Sequence, residues 1–342
     1  MTSLRVGIGT PLADDLVERV RSAPDVQLEH PAQLLGDQRH VADHAGDRND
    51  AQQAELVEAL RGCEVVLGIP DDSPAGLAAL LAPGGSVRWV QATAAGAGEQ
   101  VRKADLDEDA LSEVRITTTA GVHVGPLAEF AMFGLLAFHK DLDRLLELRA
   151  EREWPSRWPM TQLRGRRLLV IGMGSIGQAV AELAQAFGMT VTGVRRRSGE
   201  VDGIPVRAMD ELGAAVAEAD DVVLALPGTP ETEGLLDAGV LAALPAGAVV
   251  VNVGRGSCID EAALADALRS GHLRGAVLDV AATEPRPPDD PLWTLPTLLQ
   301  SPHTAALSTK EDERIVELFL DNLRRYRAGE PLVNEVDTDL FY

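Results

Sequence analysis

The feature that most constrains the fold of this 342-residue chain is an apolar run that leads into a glycine pattern. Residues 168–171 read Leu-Leu-Val-Ile, and Gly172, Gly174 and Gly177 follow in the spacing Gly-x-Gly-x-x-Gly before an Ala-rich helical pattern. In such a strand–turn–helix context, the first glycine permits a tight turn and the second leaves room for a pyrophosphate. The third lets helix and strand pack closely, so that free N–H groups at the helix start face the phosphates. The sequence therefore predicts a dinucleotide-binding unit.

Short β-branched runs alternate with helical patterns along almost the whole chain, which is typical of parallel strands joined by helical crossovers. The predicted strands form two series, residues 4–9, 65–69, 87–91 and 116–119, then 167–171, 190–194, 221–226, 248–253, 275–280 and 298–300. A single long helix is predicted over 126–150 between the two series, and an amphipathic helix over 310–326. The patterns predict an α/β protein of two doubly wound parallel-sheet domains.

Charge and cysteine content restrict the partners. The chain has 31 Lys and Arg against 53 Asp and Glu, a net charge of −22. Nucleic acids and anionic membranes attract basic surfaces, so we expect neither as a partner. Cys63 and Cys258 form no disulfide framework, and the N-terminus lacks a basic segment followed by an apolar run. The expected location is the cytoplasm.

No metal site is expected. His40 and His44 have the i, i+4 spacing of a helical metal site, with Asp37, Asp43 and Asp47 nearby. No glutamate follows the first histidine, and the surrounding pattern is weak. We interpret this segment as an ordinary solvated face.

Three arginines stand where the cofactor's ribose is normally bound. In dinucleotide-binding units an acidic residue about 20 positions beyond the glycines holds the ribose hydroxyls of NAD. Here Arg195, Arg196 and Arg197 follow the strand at 190–194 instead. Guanidinium groups bind phosphate in bidentate fashion, and no carboxylate is present to repel a 2′-phosphate. The position favours NADP(H), with NAD(H) and a merely basic loop as the alternatives.

Polar residues follow three of the later strands. Arg255 comes after the strand at 248–253, Glu284 lies in the loop after 275–280, and His303 comes after 298–300. Each residue by itself has an ordinary structural explanation as a surface ion pair, a cap or a loop histidine. Because the carboxyl ends of parallel strands meet at one edge of a sheet, the three together predict a cation, a carboxylate and an acid/base group on one rim.

Residues 120–306 resemble the D-isomer-specific 2-hydroxyacid dehydrogenase family. The blocks that carry this resemblance are 165–177, 219–232, 251–256, 278–285 and 301–305, with a looser match at 90–96. The resemblance implies a Rossmann nucleotide-binding domain of residues 120–302. This domain would be inserted in a flavodoxin-like substrate domain of residues 1–119 plus 303–342. It also implies a homodimer built around the 126–150 helix and the Trp154–Trp158 region.

The resemblance assigns Arg255, Glu284 and His303 as the catalytic residues. His303 would protonate the substrate carbonyl, Glu284 would orient its ring, and Arg255 would pair with the substrate carboxylate and polarise the carbonyl. Backbone N–H groups at Ala95 and Gly96 would hold the carboxylate, with Arg255 and His303 completing the substrate contacts. The residues expected to contact the cofactor are Gly172, Gly174, Ser175, Ile176, Gly177, Arg195, Arg196, Arg197, Pro227, Thr232, Val253, Gly254, Asp279 and His303. Asp279 would meet the nicotinamide carboxamide.

The sequence departs from the family pattern at a few positions. Gly254 replaces a more usual Ala or Ser, which we interpret as a small change, and Ala97-Gly98 replace a Val/Ile-Asp pair in the substrate loop. The expected reaction is reduction of a small 2-keto acid, such as glyoxylate or hydroxypyruvate, to the D-2-hydroxy acid, and its reverse. Two alternatives remain: a formate- or phosphite-type dehydrogenase, and a nucleotide-sensing binding protein or corepressor without turnover.

Overall fold

The chain divides into two compact units. The structure, a computed structural model, describes residues 3–36, 38, 43–45 and 47–338, with the backbone alone at 108–109. One unit, which we name the split unit, comprises Met1–His123 and Leu307–Tyr342. The other, the continuous unit, comprises Val124–Ala306 and therefore includes His303.

The split unit is built on a five-stranded parallel sheet. Its strands are β1 (Leu4–Ile8), β2 (Val26–Glu29), β3 (Val65–Leu67), β4 (Trp89–Gln91) and β5 (Arg115–Thr117). They lie in the order β2-β1-β3-β4-β5, which is the flavodoxin-like order. The sequence did not predict β2, an edge strand with no fully buried residue. Its helices, numbered in chain order, are α1 (Asp14–Arg21), α2 (Ala32–Leu35), α3 (Asp50–Arg61), α4 (Pro74–Leu80), α5 (Ala97–Lys103), α6 (Glu108–Glu113) and α13 (Glu311–Ala328).

The continuous unit contains an eight-stranded sheet. Its strands are β6 (Arg167–Ile171), β7 (Thr190–Arg195), β8 (Gly199–Val201), β9 (Ile204–Ala208), β10 (Asp221–Leu224), β11 (Ala248–Asn252), β12 (Leu273–Leu278) and β13 (Leu298–Gln300). Its helices are α7 (Val124–His139), α8 (Leu142–Glu151), α9 (Ser175–Ala186), α10 (Leu212–Ala217), α11 (Ala238–Ala243) and α12 (Glu261–Arg269). Short 3₁₀ turns cover Pro70–Asp72, Met209–Glu211, Gly256–Cys258 and Pro291–Thr294.

The order of the strands in the continuous unit locates its ligand-binding edge. The sheet runs β13-β12-β11-β10-β6-β7-β9-β8 and is parallel except for the β8–β9 hairpin. The strand order reverses between β6 and β10, and open sheets of this type bind ligands outside the carboxyl ends at such a point. Apolar clusters cover both faces of the sheet. The predicted α/β class with two doubly wound sheets is confirmed.

The prediction of a single long helix over 126–150 is wrong, because the helical conformation is interrupted between α7 and α8. Asp141 at the break has a left-handed φ of 52°. Its carboxylate accepts hydrogen bonds from Arg274 Nη2 at 2.9 Å and from Trp158 Nε1 at 2.8 Å. Side chains from outside the helix thus hold a conformation that costs an L-residue roughly 1–2 kcal/mol. The local pattern of good helix formers could not indicate this break.

The histidine segment also differs from expectation. His44 is buried, with only 7% of its surface exposed, so its interpretation as part of a solvated face is wrong. His40 and Asp37 lie outside the described residues. Within the described part of the chain, no helix is long and apolar enough to cross a bilayer.

Candidate active site

The three polar residues predicted at strand ends all belong to the continuous unit. Arg255 follows β11, Glu284 lies in the loop after β12, and His303 follows β13. These strands are neighbours in the sheet, so their carboxyl ends place the three residues on one edge. This is the rim on which an α/β sheet binds its ligand.

His303 and Glu284 form a direct pair. His303 Nδ1 lies 2.8 Å from Glu284 Oε2, and the other carboxylate oxygen accepts the N–H of Ala281 at 2.8 Å. The two side chains are 45% and 38% exposed, and ion pairs at that exposure contribute little to stability. The contact orients the ring and leaves Nε2 without a hydrogen bond to any described residue. The pair therefore has the form of an oriented acid/base group.

The local electrostatics keep Glu284 ionised. Burial by itself would raise the pKa of Glu284, but the Ala281 N–H, the His303 ring and the charge of Arg255 together lower it. The group is therefore a carboxylate near neutral pH, the form that can accept a proton-bearing Nδ1.

Asp279 organises the loop that carries His303. The backbone carbonyl of this buried residue accepts the His303 N–H at 2.9 Å. Its Oδ1 accepts the N–H groups of Thr304 and Ala305 at 3.0 and 2.9 Å, and also the Ser301 hydroxyl. Sequence analysis did not identify this role, because it depends on contacts between the ends of β12 and β13. The contact between Asp279 and the nicotinamide stays a prediction.

Arg286 holds the loop that carries Glu284. Its side chain is 2% exposed and donates to both oxygens of Glu261, at 2.7 and 3.0 Å, and to Asp290 at 2.6 Å. Glu261 also accepts the N–H of Ala282 at 3.1 Å. No local pattern could have identified this cluster, because Glu261 lies 25 residues from Arg286 in the chain. A buried ion pair therefore supports the position of Glu284.

Arg255 lies on a tightly packed turn. Asn252 donates from Nδ2 to the Arg255 carbonyl and accepts the Gly254 N–H at Oδ1, each at 2.9 Å. A Cβ at Gly254 would lie 2.5 Å from the carbonyl oxygen of Leu226. Our interpretation of Gly254 as a small departure is therefore wrong, since a larger residue would require this backbone to move. Arg255 is exposed and makes no salt bridge with any described residue, so its charge is free for a ligand.

The glycine pattern fits a dinucleotide. A Cβ at Gly172 would lie 2.5 Å from the Ala225 carbonyl oxygen, and one at Gly177 would lie 1.9 Å from the Gly172 carbonyl oxygen. Internal packing therefore explains both residues. A Cβ at Gly174 would meet nothing within 4 Å, so the protein itself does not explain this glycine. Open space beside the uncapped first turn of α9, at Ser175 and Ile176, suits an approaching pyrophosphate.

The arginine triplet lies at the carboxyl end of β7: Arg195 is the last residue of the strand, and Arg196 and Arg197 follow it. Arg196 and Arg197 are exposed, Arg195 is half-buried, and the three line one open pocket. Arg195 Nε donates to the Arg197 carbonyl at 3.1 Å. None of the three forms a salt bridge within residues 3–36, 38, 43–45 and 47–338. Their positive charge is thus available to an anion.

The remaining predicted residues divide between the two units. Thr232 Oγ1 donates to the Pro227 carbonyl at 2.8 Å and closes the loop after β10, whereas Val253 is buried after β11. In the split unit, Ala95 and Gly96 are exposed after β4, and their N–H groups donate no hydrogen bond to a described residue. No three His, Cys, Asp or Glu side chains of the described chain are placed to share a metal ion. The direct ligand contacts of these residues stay predictions.

Comparison with known proteins identifies the family. Residues 132–305, just over half of the chain, match the sequence model described as D-isomer specific 2-hydroxyacid dehydrogenase, NAD binding domain. The chain belongs to this family. The match confirms both the resemblance and the prediction of a dinucleotide cofactor.

Curated relatives carry two different names. A D-3-phosphoglycerate dehydrogenase of Mycobacterium leprae is 35% identical over 249 residues, which cover 71% of this chain and 46% of that protein. The chain thus spans about half the length of that relative. A glyoxylate reductase of Korarchaeum cryptofilum is 34% identical over 245 residues, covering 69% of this chain and 73% of that protein. Sequence identity alone therefore does not separate the two substrate types.

Solved structures share the whole fold. A family member from Aeromonas salmonicida has a TM-score of 0.76 and 30% identity, covering 99% of this chain and all of that one. A 2-hydroxyacid dehydrogenase from Xanthobacter autotrophicus, crystallised with NADPH and MES, has a TM-score of 0.74 and 28% identity over the full length of both chains. The family fold thus extends over both units of this chain.

Proposed function

We propose that this dehydrogenase reduces a small 2-keto acid to the D-2-hydroxy acid and catalyses the reverse oxidation, with NADP(H) preferred over NAD(H). The observation that carries the proposal is the His303–Glu284 pair, with Nδ1 and Oε2 separated by 2.8 Å and Nε2 left free on the same rim of the sheet as Arg255. A positioned acid/base group next to an unpaired cation is what reduction of a keto acid requires.

The chain's own residues perform the proton chemistry. The cofactor, when bound, supplies or accepts the hydride. The protonated ring of His303 donates from Nε2 to the carbonyl oxygen, while the ionised Glu284 keeps the ring oriented and balances its charge. The Arg255 guanidinium pairs with the substrate carboxylate and stabilises the negative charge that develops on the oxygen. In the oxidative direction, the neutral ring accepts the hydroxyl proton.

Two groups of residues would hold the cofactor. Free N–H groups at Ser175 and Ile176, with open space at Gly174, would bind the pyrophosphate. The unpaired guanidinium groups of Arg195, Arg196 and Arg197 would bind a 2′-phosphate. The Xanthobacter structure with NADPH supports this preference. Pro227, Thr232, Val253, Gly254 and Asp279 would line the remainder of the cofactor site at the carboxyl ends of β10, β11 and β12.

The substrate would be a small 2-keto acid of the glyoxylate or hydroxypyruvate type. The name of the Korarchaeum relative supports this class. The exposed N–H groups of Ala95 and Gly96 would bind its carboxylate.

The test is a turnover assay with NADPH and NADH against glyoxylate and hydroxypyruvate. We expect the wild type to oxidise NADPH and the His303→Ala variant to lose at least about 1,000-fold in kcat. Cofactor affinity of this variant, measured by fluorescence titration, should stay within about twofold, because the lost group acts on the carbonyl.

The matched control is His272→Ala, which removes a histidine of the same unit whose Nε2 lies 3.2 Å from the Leu241 carbonyl. This control should keep its turnover. A wild-type protein that binds NADPH but turns over neither keto acid would contradict the proposal and favour a nucleotide-sensing protein.

We also propose a homodimer and a reducing cytoplasmic setting. Helix α8 has no buried residue, and after it Trp154 is 99% exposed, which supports burial of this region by a second copy. Cys63 and Cys258 are free and buried, which suits a reducing compartment. Light scattering should give twice the chain mass, and a monomer would contradict the dimer.

A further inference from the structure

A second polar cluster, distinct from the His303–Glu284 pair, lies in the split unit. We name it the edge cluster. Its members are His44, Asp72, Thr93, Gln100, Glu311 and Asp312. Asp72 follows β3 and Thr93 follows β4, at the same edge of the sheet as the proposed carboxylate site at Ala95 and Gly96.

The cluster contains buried polar atoms without hydrogen bonds. Among the described residues, no partner reaches Thr93 Oγ1, Gln100 Oε1, Glu311 Oε2, Asp312 Oδ1 or His44 Nε2. Thr93 is only 1% exposed and His44 7%. Buried polar groups are nearly always hydrogen-bonded, so five such atoms in one place require an explanation. Three of the five atoms, on Gln100, Glu311 and Asp312, can only accept, which means that the cluster lacks donors.

The geometry directs these groups toward one another. His44 Nε2 lies 3.9 Å from both Glu311 Oε1 and Asp312 Oδ1, which is too far for a hydrogen bond. On the other side of the ring, Nδ1 lies 3.2 Å from Thr10 Oγ1. Gln100 Nε2 donates to the Asp72 carboxylate at 3.2 Å, so Oε1 of the same amide is the atom without a hydrogen-bond partner. At these distances the acceptor atoms of the cluster do not satisfy one another by hydrogen bonds.

The cluster is also rich in carboxyl groups, with Asp72, Glu311 and Asp312 around the single ring of His44. Burial by itself would raise the pKa of Glu311, but His123, 2.9 Å away, and His44 together lower it to about 2. Burial raises the pKa of both Asp72 and Asp312, and the nearby His44 ring does not offset this effect. An approaching cation would compensate this penalty, whereas an anion would increase it.

We propose that the edge cluster recognises a positively charged, hydrogen-donating tail on the 2-keto acid, an ammonium or a guanidinium group. This inference rests on the proposed function, with the carboxylate end of the substrate at Ala95 and Gly96. A cation supplies both things that the cluster lacks, donors and positive charge. A tail ending in phosphate or a second carboxylate would face Glu311, Asp312 and Asp72 with like charge. The substrate named for the phosphoglycerate dehydrogenase relatives is therefore disfavoured.

The experiment compares three 2-keto acids that differ in tail charge. These are 2-oxo-5-guanidinopentanoate, 2-oxohexanoate and 2-oxoadipate, assayed with NADPH alongside glyoxylate. We expect kcat/KM for the guanidino acid to exceed that for 2-oxohexanoate by roughly tenfold or more, and 2-oxoadipate to be the poorest of the three. Equal values, or a preference for 2-oxoadipate, would overturn the proposal.

Variants then assign the preference to the cluster. In Glu311→Gln and in Asp72→Asn, the ratio of kcat/KM between guanidino acid and 2-oxohexanoate should fall toward 1. Asp72 is only half-buried, so Asp72→Asn stays informative if the buried Glu311→Gln fails to fold. The matched control is Glu99→Gln, which removes an exposed carboxylate of α5 that pairs with Arg102 at 2.9 Å. The proposal is contradicted if this kcat/KM ratio falls as much in Glu99→Gln as in the two cluster variants. It is also contradicted if the ratio changes in none of the three proteins.

The two proposals can fail separately. Turnover of glyoxylate without a preference for the cationic tail would refute the edge cluster and leave the proposed function intact. If no keto acid is turned over, calorimetry with the NADP-bound protein still compares the guanidino acid with 2-oxohexanoate. Tighter binding of the former, lost in Asp72→Asn, would support the cluster even then, whereas equal binding would refute it.

Discussion

The backbone carbonyl of Asp279 accepts the N–H of His303 at 2.9 Å, so the end of β12 holds the histidine that follows the neighbouring strand β13. The aspartate carboxylate accepts two further N–H groups of the same loop, from Thr304 and Ala305. His303 is thereby held at a left-handed φ of 55°, a conformation that needs support from its surroundings. Asp279 is a positioning residue for the His303–Glu284 pair.

The first prediction concerns this positioning. Asp279→Asn keeps the size of the side chain but removes its charge and one of its acceptor oxygens. Because misplacement of a reacting group by about 1 Å can cost about 100-fold, we expect a loss of that order in kcat for keto-acid reduction. KM for the keto acid should change much less. Steady-state kinetics measure both, and Ser301→Ala, which removes one of the bonds to Asp279, serves as the milder control. An unchanged kcat would contradict the role of Asp279.

The second prediction separates the cofactor role of one glycine from the structural role of another. Gly174→Ala adds a Cβ that meets nothing within 4 Å, so the thermal midpoint should stay unchanged while the Kd for NADPH rises roughly tenfold or more. Gly177→Ala places a Cβ 1.9 Å from the Gly172 carbonyl oxygen and should destabilise the fold itself. Thermal melts and fluorescence titration distinguish the two effects. Loss of stability in Gly174→Ala would show that the open space is not a ligand site.

The third prediction tests the arginine triplet. The double variant Arg196→Ser with Arg197→Ser should raise KM for NADPH by about tenfold or more and leave KM for NADH nearly unchanged, because only NADPH carries a 2′-phosphate. The matched control is Arg207→Ser, which removes a nearby arginine that already pairs with Glu218. A wild-type protein that prefers NADH, or a variant whose two KM values rise together, would refute the assignment of the triplet.

The fourth prediction links a buried carboxylate to acid stability. Asp221 is fully buried and lies 2.9 Å from His139 Nε2 and 2.8 Å from Arg166 Nε. Burial would raise the pKa of Asp221, but His139 and Arg166 outweigh it and lower the value. A carboxyl group whose pKa is lower in the folded than in the unfolded protein stabilises the folded state at pH values above the unfolded pKa. This contribution is lost as the pH falls through the folded pKa.

Asp221→Asn should therefore lower the free energy of unfolding at pH 7 by about 3 kcal/mol, the usual cost of breaking a buried pair. The difference from wild type should shrink as the pH is lowered below 4, which urea unfolding at several pH values measures. Asp220→Asn, at a partly exposed pair with Arg167, is the control and should cost much less. A difference that is constant with pH would contradict the linkage.

The features that could be predicted from the sequence are those that depend on local residue patterns. The spacing of Gly172, Gly174 and Gly177 after an apolar run placed the dinucleotide turn, because each of these roles depends on a few neighbouring residues. The alternation of strands and helices placed Arg255, Glu284 and His303 at strand ends. Since parallel strands end on one edge, the sequence could also predict that the three share a rim.

Tertiary contacts decided what the patterns could not show. The break at Asp141 depends on Arg274, and the Glu284 loop depends on Arg286 and a glutamate 25 residues away. The burial of His44 depends on groups at the start of α13, hundreds of positions along the chain. No window of sequence contains both partners of such a contact.

The sequence by itself determined the α/β class and the dinucleotide turn, and it placed Arg255, Glu284 and His303 after the ends of neighbouring strands, because these features follow from periodicity and short-range spacing. Only the tertiary structure decided that Asp279 holds the His303 loop, that Gly254 has no room for a side chain, and that the edge cluster gathers unpaired acceptors. The physical reason is that hydrogen bonding, close approach and burial are properties of pairs of residues in space. They come into existence only when the strands are brought side by side.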